Sequence, residues 1–267
     1  MTDLQPRIGG FGQTESVKSI PFENAVAWMQ EKLILSENPA DGYAGYDITG
    51  WPSDTWVLNA MWETTDSDST LTHDDVRKAA IARGIIEPQM IGEINFEEVG
   101  VLTGGSLGLN RSPGNGWKRL RWADLAARTN APMSDSGVPP CYQWFEYRSW
   151  PARILPPAEG SLDFDSLGVL LKILSRHSSK GDSTVCSCYY SPLAGRLGKE
   201  PIVLEGTLSE VISTSLELRF TPSNLWPDDR SWFVFTDADL WGTKVSGSFE
   251  LTNDLQLVGE LETVAYP

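Results

Sequence analysis

The chain is poor in the residues that small catalytic and metal-binding scaffolds lean on. Its 267 residues include three Cys and two His. An odd Cys count in a chain of this length is no disulfide framework, and His73 and His177 do not supply the H-E-x-x-H spacing of a zinc site. Cys186 and Cys188 have no Cys-x-x-Cys or His-rich partner, so they read as two small strand residues of a core, pointing to opposite faces. Gly-x-x-x-x-Gly-Lys and Gly-x-Gly-x-x-Gly are both missing, so no nucleotide cofactor is expected. No apolar run approaches the ~18 residues of a membrane span, and the start has no charged n-region followed by an apolar h-region. A cytoplasmic protein with no membrane partner is the expectation. Basic residues are scarce too: 21 Lys and Arg face 36 Asp and Glu, a net charge of −15. Nucleic-acid binding is disfavoured, because neutralising phosphates needs clustered cations.

What is present is core-forming material. Apolar residues make up 40% of the chain, and eleven Trp, nine Phe and seven Tyr supply more aromatic surface than a disordered chain carries. The charge is uneven. Residues 1 to 100 hold six basic and seventeen acidic side chains, 101 to 160 hold seven and four, and 161 to 267 hold eight and fifteen. With the Gly and Pro clusters of the middle stretch, this suggests an acidic N-terminal α+β lobe over 1–103, a slightly basic connector with a helix over 104–160, and a C-terminal α+β lobe over 161–267. The expected class is α+β, two lobes with mixed or mainly antiparallel sheet and a few packed helices.

Phe22, Val26, Met29 and Leu33 recur at helical spacing, so 22–34 reads as a helix broken by Asn38-Pro39. Trp56, Leu58, Ala60 and Trp62 alternate with their neighbours and suggest one strand with two Trp on one face. Thr72 followed by Asp75 resembles a capping box for a helix to Arg83, ending at Gly84. From Ser161 onward, Leu162, Leu167, Val169, Leu170, Leu171, Ile173 and Leu174 cover most of a helix, which predicts full burial. Strands are expected over 184–190, 202–204, 216–220 and 232–235, and either a helix or a strand over 251–257.

Three motifs could carry chemistry. Gly104-Gly-Ser106-Leu-Gly108 matches the nucleophile elbow of an esterase-like serine hydrolase, with His177 as the one downstream imidazole, but Pro113 and the glycines that follow deny the elbow its helix. Asp237-Ala-Asp239 ends a strand, as the metal-binding pair of a metal-dependent transferase would, yet no βαβ pattern precedes it. Trp117 to Ala131 reads as a helix with a basic face, and its tail looks like the first helix of a helix-turn-helix. Pro139-Pro140 then forbids the recognition helix.

The stretch Trp226-Pro-Asp-Asp-Arg-Ser-Trp232-Phe-Val-Phe-Thr-Asp-Ala-Asp239-Leu-Trp241 through Ser248, closing on Glu260-Leu-Glu-Thr-Val264, resembles the end of a loosely defined group of bacterial proteins, some of them of immunity or antitoxin type. The resemblance covers about the last fifty residues and carries no catalytic signature. It implies a helix after Ser248 and an edge strand over 262–265. Acidic charge and aromatic anchors suit binding of a basic protein partner such as a toxin. Expected contact residues are Trp226, Asp228, Asp229, Trp232, Asp237, Asp239 and Trp241, with Asp66, Asp68, Asp74 and Asp75 in the first lobe.

Overall fold

Alternating apolar residues along short β-branched and aromatic segments build an antiparallel sheet whose two faces are both covered. In the computed structural model the residues described are 17–33, 45–65, 70–88, 90–91, 94–95, 108–129, 149–192, 200–237 and 240–265. The strands are β1 (Lys18–Ser19), β2 (Ser53–Leu58), β3 (Met61–Thr64), β4 (Met90–Ile91), β5 (Ile94–Asn95), β6 (Trp117–Leu120), β7 (Ile154–Leu155), β8 (Val185–Tyr190), β9 (Ile202–Thr207), β10 (Asn224–Pro227), β11 (Phe233–Thr236), β12 (Gly242–Gly247) and β13 (Thr263–Val264). The helices are α1 (Phe22–Val26), continued as a 3-10 segment Ala27–Lys32, then α2 (His73–Ala82), α3 (Trp122–Thr129), α4 (Phe164–Arg176), α5 (Val211–Leu218) and α6 (Phe249–Leu257). The fold is α+β.

Eight strands form the main sheet in the order β1-β9-β8-β10-β11-β12-β2-β13. The expected division at 103 and 160 is not respected by this sheet, since β2 lies hydrogen-bonded between β12 and β13. One face, with Val57, Cys186, Cys188, Tyr190, Leu225, Val234 and Val245, packs under α4, α5 and α6. The other, with Trp56, Tyr189, Val203, Trp226, Phe233 and Phe235, meets Val26 and Met29 of the α1 segment and Tyr46 and Ile48. Cys186 and Cys188 therefore share a face, contrary to expectation, because residues two apart in a strand point the same way.

The expected single strand through Trp62 breaks at Asn59 and Ala60. Asn59 donates its amide to the carbonyls of Ala158 and Ser161, and Ala60 N–H donates to Asp163 Oδ2 at 3.2 Å, so the chain leaves one sheet and enters another. That second sheet has the order β6-β3-β7 and packs on Trp122, Trp150 and Trp241, whose ring centroids lie 5.0–6.2 Å apart. Trp117 to Leu120 is strand rather than helix, and the helix begins at Trp122. Leu216 to Leu218 belongs to α5, not to a strand, and Arg219 closes that helix in the left-handed region at φ 62°. Two expectations drawn from the resemblance are met: Ser248 caps α6 by accepting from Leu251 N–H, and β13 forms an edge of the main sheet.

Candidate functional site

Trp226, Trp232 and Trp241 are 4%, 0% and 0% exposed, which removes them as contact residues. Trp226 lies in the aromatic layer beneath Trp28, Trp232 donates its indole N–H to Ser178 Oγ at 2.9 Å, and Trp241 joins the Trp triad. Aromatic burial supplies the core energy here, not anchors for a partner. Among the enzyme alternatives, Ser106 lies outside the described residues, as do Asp66, Asp68 and Asp239. His177, the half-buried C-cap of α4, holds Asp254 Oδ2 at 2.9 Å through Nε2. That bond is the main reason the Asp254 carboxyl sits below its ordinary value. Asp237 follows β11 directly and is half-buried. Gly108, the last glycine of the elbow-like motif, adopts φ +86°, and a Cβ there would run into the carbonyl oxygen of Arg219. Its lack of a side chain thus serves close packing against the end of α5.

The basic middle stretch is used internally. Arg119 Nη1 donates to Glu260 O at 2.6 Å, and Arg121 donates to the carbonyls of Leu261, at 3.0 Å, and Gly259. Burial pulls the Arg119 guanidinium below its usual range. Glu262 in turn accepts from Trp122 N–H and Ala123 N–H at 2.8 and 2.9 Å, capping the start of α3 where the helix dipole favours a carboxylate. Arg128 and Arg153 both reach Glu63, at 2.8 and 3.4 Å. Arg119 and Arg121 thus tie the turn after α6 to β6 and the start of α3, while Arg128 and Arg153 are paired with β3 of the small sheet.

Two exposed surfaces hold the remaining predicted contact residues. The first is α2, whose start is a capping box: Asp75 N–H donates to Thr72 Oγ1, while Thr72 N–H and Oγ1 donate to Asp75 Oδ2 at 2.9 and 2.8 Å. Those bonds hold the Asp75 carboxyl below its ordinary value. Asp74 pairs with Lys78 at 2.6 Å, one turn on. At its start the helix is tethered through His73 N–H to Trp150 O, Asp74 N–H to Ser149 Oγ and Ala152 N–H to Leu71 O. It buries none of its residues. Leu71, Val76, Ile85 and Ile86 are 50%, 47%, 68% and 37% exposed, four of the seven large exposed apolar side chains among the described residues. Sequence reasoning missed them; the signal was a helix whose only large apolar residues, Val76 and Ile81, are too few to make a buried stripe.

The second surface is the turn between β10 and β11. Asp228 and Asp229 are exposed there, with Asp229 Oδ1 accepting from Ser231 N–H at 3.0 Å and Arg230 in the left-handed region at φ 54°. Arg230 stacks over Trp28 at 4.4 Å, and Trp51 donates its indole N–H to the Arg230 carbonyl, so the turn is held in one shape. Asp228 and Asp229 reach electrostatically to Cys186, whose thiol is pushed up to about 12, chiefly by burial.

Comparison with protein-family models, with curated proteins and with solved structures finds no match for this chain. No described helix is long and apolar enough to cross a membrane, and no three described His, Cys, Asp or Glu stand together as metal ligands.

Proposed function

We propose that the protein works in the cytosol by binding a basic protein partner, as an immunity or antitoxin-type inhibitor does, and that α2 is the centre of the contact. One observation carries this reading: Val76 on α2, and Leu71, Ile85 and Ile86 just outside its two ends, stand exposed on a segment whose first turn carries Asp74 and Asp75. Several large apolar side chains left in water on one short segment suit an interaction surface, and carboxylates on the same segment select and steer a cationic partner. The exposed Asp228 and Asp229 add negative potential from a rigid turn.

The test is co-expression with the product of the adjacent gene, followed by titration calorimetry on the purified pair. Val76→Asp and Ile85→Asp are expected to weaken the complex at least about tenfold, a loss of ~1.4 kcal/mol, while leaving the melting temperature unchanged because both positions are exposed. A neighbour product that neither binds nor is neutralised in growth assays, or an affinity untouched by both substitutions, overturns the reading.

A further inference from the structure

Asn115 and Gly116 form the one Asn-Gly pair in the chain. They occupy the two central positions of the turn Gly114–Trp117, which Trp117 N–H closes by donating to Gly114 O at 3.2 Å. Gly116 stands at φ +85° while Asn115 keeps a negative φ, the combination of a type II turn, whose third position favours glycine. The turn enters β6 from the solvent side. Residues 111 to 116 are all exposed, and a Cβ placed on Gly114 would meet nothing within 4 Å. Neither the Asn115 side chain nor the Gly116 N–H has a hydrogen-bond partner among the described residues. Asn59 and Asn224 are placed differently: both are buried, Asn59 donates its amide to Ala158 O and Ser161 O, Asn224 donates to Tyr46 O, and Ala60 and Leu225 follow them.

That exposed pair has a reaction open to it. The backbone nitrogen after an asparagine can close a five-membered ring on the side-chain Cγ, and tethering gives such an attack a high effective concentration. A Cβ on the following residue would shield the nitrogen, and glycine has none. In a type II turn Asn115 is extended, so Gly116 N has to swing toward the Cβ side of Asn115 before it reaches Cγ. One exposed backbone hydrogen bond opposes the swing, which slows the reaction by no more than about tenfold.

We infer that Asn115 is a self-modification site, at which the chain deamidates through a succinimide with water as co-reactant. Gly116 N gives up its proton and attacks Asn115 Cγ. The N–Cγ bond forms, the Cγ–Nδ2 bond breaks, and the side-chain nitrogen takes a proton and leaves as ammonia. Water then opens the ring: cleavage of the new N–Cγ bond gives aspartate, and cleavage of the original peptide bond gives isoaspartate. Both products put a carboxylate between the exposed Arg111 and Lys118 and take the formal charge from −15 to −16. Isoaspartate also adds a methylene to the main chain just ahead of Trp117, whose pairing with Thr64 opens the contact of β6 with β3. The site is independent of the partner-binding reading.

The test holds the full chain in neutral buffer beside a free peptide of residues 112–118. Peptide mapping by mass spectrometry follows position 115, an isoaspartyl methyltransferase probes the isomerised product, and isoelectric focusing follows the charge. Deamidation at 115 is expected at a rate within about tenfold of the free peptide's, with isoaspartate among the products and an acidic satellite growing in step. Asn115→Gln, which would need a slower six-membered ring, is expected to cut the rate at least tenfold and to suppress the satellite. Gly116→Ala should slow it as well but strains the turn at φ +85°, so Asn115→Gln is the decisive variant. A rate at 115 more than about tenfold below the peptide's, or a satellite undiminished in Asn115→Gln, overturns the assignment.

Discussion

Lys244→Met is the substitution whose cost the structure specifies most closely. Lys244 sits mid-strand in β12 on the aromatic face, its side chain 11% exposed, with Trp56 and Phe235 as its strand neighbours. Its Nζ lies 3.1 Å from Asp47 Oδ1 and 4.0 Å from Asp54 Oδ2. At an effective dielectric near 20, a pair at that shorter distance gains about 5 kcal/mol of Coulomb energy, most of it offset by desolvation. Removing one partner of a fully buried pair costs about 3–5 kcal/mol, because the other charge is stranded. Asp47 keeps 32% of its side chain in water, so roughly 2 kcal/mol is expected, a drop of about 4 °C in melting temperature for a chain of this size. The pH dependence identifies the cause. Burial raises the Asp47 carboxyl above its ordinary 3.8 and Lys244 pulls it back. An acid with a raised folded pKa loses stability as pH climbs from the ordinary value through the raised one, and without Lys244 that window extends further upward. The deficit of Lys244→Met should thus be small at pH 4 and full at pH 7, and Asp47→Asn in the same chain should recover most of it. Thermal unfolding followed by circular dichroism reads both. An equal deficit at the two pH values would show that no stranded carboxylate is involved.

Other perturbations test the crossing between the two sheets at Asn59 and Ala60, the thiols and the α4 to α6 contact. Asp163 is 1% exposed and accepts from Ser166 N–H at 3.0 Å and Ala60 N–H at 3.2 Å, so Asp163→Ala should cost about 2–3 kcal/mol, the upper range of a lost cap plus one stranded donor; an unchanged unfolding midpoint in urea would contradict it. In a Cys141→Ser background, Cys186 and Cys188, buried and with both thiols pushed far up, should resist a disulfide reagent at pH 8 until guanidinium is added, when two thiols should count; rapid labelling of the native chain would place them elsewhere. Asp254 is depressed mainly by the His177 bond, a contribution present above the ordinary value of 3.8 and lost as pH falls through the lower folded one. His177→Ala should therefore move the acid limb of the stability curve toward that ordinary value, and an acid limb left in place would argue against the pair.

The cap of α2 was legible in Thr72 and Asp75 because a capping box is local chemistry. The helix Phe164–Arg176 and the strands β8, β9 and β11 were legible in outline for the same reason, their periodicity being short-range, whereas β10 and β12 were not read as strands. What failed needed longer reach. Leu216 to Phe220 reads as strand from its apolar residues, but Thr207 and Glu210 form a capping box that starts a helix, and Ser213 and Thr214 donate back to the Glu210 carbonyl at 2.9 Å. That Thr-x-x-Glu was in the sequence and outweighs β propensity once the turn is nucleated. The run from Trp56 to Trp62 alternates without a visible break, since the break is set by Asp163, about a hundred residues away. Trp226, Trp232 and Trp241 fit an interface and a core equally well by composition. Only the sheet order, which brings β2 between β12 and β13, shows how much aromatic surface the two layers must fill.

The same long-range pairing changes what the charge means. Arg119 and Arg121 are held by carbonyls and Arg128 and Arg153 by Glu63, so much of the positive stretch of sequence is engaged within the fold. Steering and docking then separate by residue. Asp228 and Asp229 act over a Debye length and should govern the association rate and its salt dependence, whereas Val76 and Ile85 act only in contact and should govern dissociation. A complex whose association rate ignores salt while its dissociation rate follows the apolar substitutions would leave α2 as the docking surface and demote the net charge to a property that keeps the chain in solution.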